Sequence, residues 1–160
     1  MDVALVMGSI SDWPKIKATA ELLQKLNVSF DKHIISAHRM PTELQNFASK
    51  LKDEHYKIVI AAAGGAAHLP GMLAANTTLP VIGIPVKTSI LNGMDSLLSI
   101  VQMPAGVPVA TVAIGDAGAK NAAILAAQVI ALSNKSVEKN LNEFRRNQTK
   151  EAIESNEQLK

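Results

Sequence analysis

Cysteine is absent from this 160-residue chain, and aromatic residues make up only 3% of it. The first absence excludes disulfides, thiolate zinc sites and thiol nucleophiles together. It is also compatible with a reducing compartment, and a cytoplasmic location is expected. Because 48% of the residues are apolar and so few of them aromatic, any core must be aliphatic and rich in alanine. No apolar run approaches the ~20 residues that span a bilayer, so no membrane contact is expected. Charge is scarce as well: 16 Lys and Arg against 14 Asp and Glu leave a net +2. With no basic cluster interleaved with aromatics, nucleic acid is not an expected partner, and any bound anion is small and held locally. The segment Met1–Met7 leads straight into Gly-Ser-Ile-Ser-Asp, so no signal peptide is expected. There is no Pro/Gly/Ser-rich linker and no internal repeat, and residues 1–160 read as one domain.

What is present alternates between two patterns. Val3–Met7 is a continuous apolar run that stops at Gly8, the mark of a fully buried strand. Ser11 or Asp12 then offers an N-cap oxygen, Pro14 suits a first turn, and Ile16, Ala20 and Leu23 recur at helical spacing, predicting a helix over 13–26. Residues 29–35 (SFDKHII) form a second strand whose polar content suits a sheet edge. Pro41 opens a helix with Leu44, Phe47, Ala48 and Leu51 on one face, and 58–62 is a third buried strand before a Gly-rich loop. The second half repeats the alternation: helix 69–76, strand 81–84, helix 95–102, strand 107–114 and helix 119–132.

Such βαβ repetition with right-handed crossovers predicts a three-layer, doubly wound parallel sheet of the flavodoxin-like kind, in the order 2-1-3-4-5. Residues 121–132 (NAAILAAQVIAL) are apolar nearly all round. Either that helix is buried inside one subunit, or its alanines let helices of two subunits approach. From Ser133 onward the chain is polar and helical, with a thin stripe of Val137, Leu141 and Phe144. Helical stability comes mostly from packing, so this 133–160 arm must lie on its own domain or, as expected here, on a neighbour.

In open α/β sheets, ligands sit beyond the carboxyl ends of the strands, where the strand order reverses. In the order 2-1-3, three loops converge there. The first holds Gly8, Ser9, Ser11 and Asp12, suited to a phosphate or hydroxyl at a helix start; Asp12 either caps its helix or accepts from ribose hydroxyls. It is not a Walker loop, which needs Gly-Lys-Ser/Thr. The second holds Ser36, Ala37, His38 and Arg39. Arg39 presents a planar fork for phosphate, and His38 is either a general acid–base or a turn residue. The third holds Ala63, Gly64, Gly65, Ala66, His68, Leu69 and Pro70. Its small residues let backbone approach a ligand and expose N–H groups, Leu69 and Pro70 wall the cleft, and His68 is a ligand contact or a structural imidazole. His33 and His55 read as structural or solvent-facing. No spacing of His and carboxylates suggests a metal site.

These segments, VMGSISD, SAHRMP, AGGAAHLPGM, LLSIVQMPAGVPVATVAIG and AGAKNAAILAAQ, resemble class I 5-(carboxyamino)imidazole ribonucleotide mutases of bacterial purine biosynthesis. The resemblance covers almost the whole chain. It implies a ribonucleotide substrate contacted by Ser9 and Asp12, with Arg39 on its phosphate. It implies His38 as the catalytic acid–base, a base pocket closed by the loop containing His68, no metal or organic cofactor, and a homo-octamer. Two positions depart from the family's usual pattern, Met40 for Thr and Ala62 for Gly; neither is a reacting group. The animal-type relatives, which carboxylate aminoimidazole ribonucleotide directly, typically carry Lys after the His and lack GGAAHLPG. Arg39 and the intact third loop therefore favour the mutase over the direct carboxylase. A flavodoxin-like nucleotide-binding module without chemistry is the other alternative. A phosphorelay receiver is excluded, because the residues ending strand one are Met7, Gly8 and Ser9 rather than an acidic pair.

Overall fold

A computed structural model describes residues 1–159. Five parallel strands lie in the order β2-β1-β3-β4-β5, as expected. They are β1 (Val3–Met7), β2 (Phe30–Ile34), β3 (Ile58–Ala63), β4 (Val81–Pro85) and β5 (Ala110–Thr111). The connecting helices are α1 (Trp13–Lys25), α2 (Pro41–Lys50), α3 (Leu69–Asn76), α4 (Met94–Val101) and α5 (Asp116–Ala131), followed by α6 (Lys135–Glu154). The three central strands are buried at every residue, whereas β2 is half exposed at the edge.

Alternation along each strand divides the core. Val3, Leu5, Ile58 and Ile60 face one layer with Ile16, Leu23 and the alanines of α5. Ala4, Val6, Val59 and Ala61 face the other, with Leu44, Leu69 and Leu73. Period-two side chains on a sheet covered on both faces produce this split.

Three local expectations change. The capping oxygen belongs to Ser9, which accepts from the Ser11 N–H in a 3-10 turn (Ile10–Asp12); Asp12 holds the N-cap position of α1 without a side-chain bond, and Ser11 is not its cap. Strand five shrinks from 107–114 to two residues. Pro108 has no N–H to give a ladder, and beyond the strand only isolated bonds persist, such as Val112 N–H to Gly83 O at 3.1 Å. Helix α5 starts at Asp116 rather than at 119, directly after Gly115, which ends the loop at φ +76°. Its acidic first residue favours the positive end of the helix dipole.

The alanine-rich face of α5 is spent inside the chain. Ala119, Ala122, Ala123, Ala126 and Ala127 are fully buried in the core layer containing Ile16 and Leu23. Thr19 Oγ1 donates to Ala119 O at 2.8 Å, tying α1 to α5. At Gly118 the backbone passes so close to the Ala113 carbonyl that any Cβ would collide with it. The first half of α6 rests on its own domain: Val137 is fully buried, Asn140 Nδ2 donates to Leu26 O at 3.3 Å, and Lys25 lies over the Phe144 ring. From Arg145 to Leu159 every residue is exposed.

Candidate active site

At the carboxyl ends of β1 to β4 the loops enclose a cleft of about 400 Å³. Gly8, Ser9 and Asp12 line it from β1; Ser36, Ala37, His38 and Arg39 from β2; Ala63, Gly64, Gly65, Ala66, His68 and Leu69 from β3. Two expected residues are outside. Ser11 is exposed and donates to Ser9 Oγ at 3.0 Å, while Pro70 is buried in α3 and lies toward Gly83. A larger groove of about 520 Å³, between α1, α5 and α6, has no imidazole and no strand end, so the smaller cleft is the candidate site.

Sequence reasoning missed Lys15, Val86, Lys87 and Thr88, which also line it. Val86–Thr88 follow β4, the neighbour of β3, so the carboxyl-end rule applied once more finds them. Lys15 Nζ donates to Lys87 O at 3.4 Å, linking α1 to that fourth loop.

Asp12 stands at the N-cap position of α1, but its carboxylate makes no cap bond there and remains available to a ligand. Partial burial raises its pKa above the usual value, opposed by the Lys15 charge and a backbone hydrogen bond from Ser9. The second loop is a tight turn closed by Met40 N–H to Ser36 O at 2.8 Å, with buried Ala37 as its anchor. Arg39 Nε donates to Ser36 Oγ at 3.1 Å, which aims the guanidinium while its two terminal nitrogens stay free for an anion.

The two cleft histidines meet. His38 Nε2 and His68 Nδ1 are 2.8 Å apart, with ring planes at 75°. At that distance one nitrogen donates and the other accepts, so the pair holds one proton between its rings. One expectation about the third loop is corrected. Gly65 adopts φ +69°, a conformation suited to glycine, but its N–H donates to Ser96 Oγ at 3.0 Å instead of facing a ligand. The remaining imidazoles are elsewhere, as expected. His33 packs on Phe47 with centroids 4.7 Å apart, and His55 is exposed in a turn with φ +66°. Among the described residues, no three His, Cys, Asp or Glu are grouped to hold a metal, and no helix is long and apolar enough to cross a membrane.

A parallel doubly wound sheet with a histidine pair, a free guanidinium and a carboxylate at its switch point defines an α/β enzyme for a small anionic ligand. Comparison with known proteins narrows the class. The family described as AIR carboxylase matches residues 2–151, and this chain belongs to it. N5-carboxyaminoimidazole ribonucleotide mutase of Brucella melitensis is 56% identical over 154 residues, covering 96% of this chain and 95% of that one. The mutase of Aliivibrio fischeri is 54% identical over 97% and 96% of the two chains, and that of Escherichia coli K12 52% over 96% and 90%. The crystal structure of Treponema denticola PurE superposes with a TM-score of 0.89 at 25% identity, over 99% of this chain and 98% of that one.

Proposed function

We propose that this chain is a mutase of de novo purine biosynthesis. It moves the carboxyl group of 5-carboxyaminoimidazole ribonucleotide from the exocyclic amine to ring carbon 4. The observation that carries this reading is the His38–His68 pair at 2.8 Å beside Arg39 in a loop-lined cleft, in a chain more than half identical to named mutases.

The chemistry needs one proton given and one returned. Loss of carbon dioxide breaks the carbamate N–C bond and leaves the amine wanting a proton. Carbon 4 then attacks the trapped gas, forming the C–C bond, and must shed its own proton to restore aromaticity. A single imidazole serves both steps and ends the cycle as it began. We assign that role to His38, with His68 orienting it. Arg39 takes the phosphate, and Ser9 and Asp12 take the ribonucleotide. Gly64, Ala66 and Leu69 form the wall that delays escape of a neutral gas with few polar handles.

The protein works as a cytoplasmic homo-octamer in this reading. Met94, Leu98 and Val101 support assembly, since they stand exposed at helical spacing along α4, with exposed Leu91 in the turn before it. The exposed second half of α6 then packs on a neighbouring subunit. The test supplies the carbamate substrate without added bicarbonate, then aminoimidazole ribonucleotide with bicarbonate. Conversion is expected in the first arm; robust turnover confined to the second would make the enzyme a direct carboxylase.

A further inference from the structure

Helix α4 contributes nothing to the cleft lining, yet three of its first six residues are bonded to the cleft's loops. Ser96 is fully buried. Its Oγ donates to Val86 O at 2.7 Å and accepts the Gly65 N–H at 3.0 Å. One hydroxyl thus joins the third loop to the fourth. Ser99 Oγ lies 3.1 Å from Gly65 O and 2.7 Å from Asp95 O, and its single proton serves one carbonyl at a time. Asp95 accepts from Thr88 Oγ1 at 2.7 Å, and the same Thr88 oxygen accepts the Gly93 N–H at 3.1 Å.

Both backbone groups of left-handed Gly65 are therefore within reach of serines on one helix. Gly65 precedes His68 by three residues, and the chain between them is short: Ala66, which lines the cleft, and Ala67, which is buried. A change in the Gly65 peptide reaches the imidazole with little slack to absorb it.

We infer that Ser96 is a positioning residue for the carboxyl transfer, holding the Gly65 peptide so that the glycine loop and His68 close on the trapped carbon dioxide. The inference rests on the mutase reading above. Ser99 acts with it as a second tie, one that releases when its hydroxyl turns back to its own helix. In Ser96→Ala the Gly65 N–H and the Val86 carbonyl lose their shared partner, and a buried polar group without a partner shifts until it finds one. The loop then fits the gas less closely.

The experiment measures three quantities on Ser96→Ala. The turnover number is expected to fall about 10- to 100-fold with KM within about threefold, the scale on which small misplacements act. The share of carbamate substrate released as decarboxylated aminoimidazole ribonucleotide, counted per turnover after subtracting the enzyme-free decarboxylation, is expected to rise, a leak that mere loss of folded protein does not produce. Amide hydrogen exchange at Gly65 is expected to be slow in the native protein and fast in the variant. A folded variant with unchanged turnover and leak overturns the inference, as does a fast-exchanging Gly65 amide in the native protein. If Ser96→Ala does not fold, Ser99→Ala decides by the same leak: a rise supports the inference and no change overturns it. Failure of the native protein to convert the carbamate would instead refute the mutase reading, while Gly65 exchange would still report on the clamp.

Discussion

Replacing His38 by Asn removes the proton carrier and leaves the rest of the cleft in place. A positioned acid–base group contributes ~10²–10⁴-fold to rate, which at ~1.36 kcal/mol per decade is roughly 2.7–5.4 kcal/mol of barrier. His38 is exposed and its imidazole has one side-chain partner, His68 at 2.8 Å. Water can replace that contact, so folding stability is expected to change by no more than ~0.5 kcal/mol. Arg39, held by Ser36 at 3.1 Å, does not depend on His38, and KM is expected to stay within about threefold. Initial rates with the carbamate substrate, product separated by chromatography, give the turnover number; calorimetry of nucleotide binding gives affinity. His38→Asn that keeps more than about a third of native turnover would refute the acid–base assignment. A loss carried wholly by KM would refute it equally, since His38 would then be a binding group.

Four further outcomes follow from particular contacts. Arg39→Ala is expected to behave oppositely, weakening binding about 10-fold or more through the lost charge-assisted hydrogen bonds while the turnover of bound substrate changes less. Asp12→Asn is expected to stabilise the fold at neutral pH, because burial raises the native pKa of Asp12. The folded state therefore binds the proton more tightly, and the stability this supplies is present in acid and lost as pH rises through the raised native value. The gain over wild type opens above the ordinary carboxylate range and stays below about 1 kcal/mol, since solvent screens a half-exposed group; equal denaturation midpoints at neutral pH would refute this. Tyr56 is the only tyrosine, and burial, its hydrogen bond to Asp31 and the charges of Asp31 and Glu54 push its pKa up to about 12. The phenolate absorbance of the native protein is expected to titrate there, and a midpoint near 10.0 would refute the buried contact. Gly118→Ala is expected to cost at least ~1–3 kcal/mol in urea denaturation, because the new Cβ collides with the Ala113 carbonyl; an unchanged midpoint would mean the loop is free to move.

By itself the sequence determined the alternation of strands and helices, the position of the polar strand at the edge and the three chemistry-bearing loops. Each is a local property: a continuous apolar run ending in glycine, a residue type before a helix, a periodicity. Only the tertiary structure decided the rest. Nothing local says that His38 Nε2 stops 2.8 Å from His68, two residues on different strands' loops. The alanine face of α5 suited a subunit contact as well as a core, and proximity of α1 settled where it went. Strand β5 pairs with β4 at Ala110 and Thr111 alone, an extent that its apolar run did not reveal. The Gly65 N–H looked available for a ligand until α4 folded back and placed Ser96 against it. Hydrogen-bond partners that lie thirty residues apart are chosen by packing, and packing is the one thing a linear pattern does not contain.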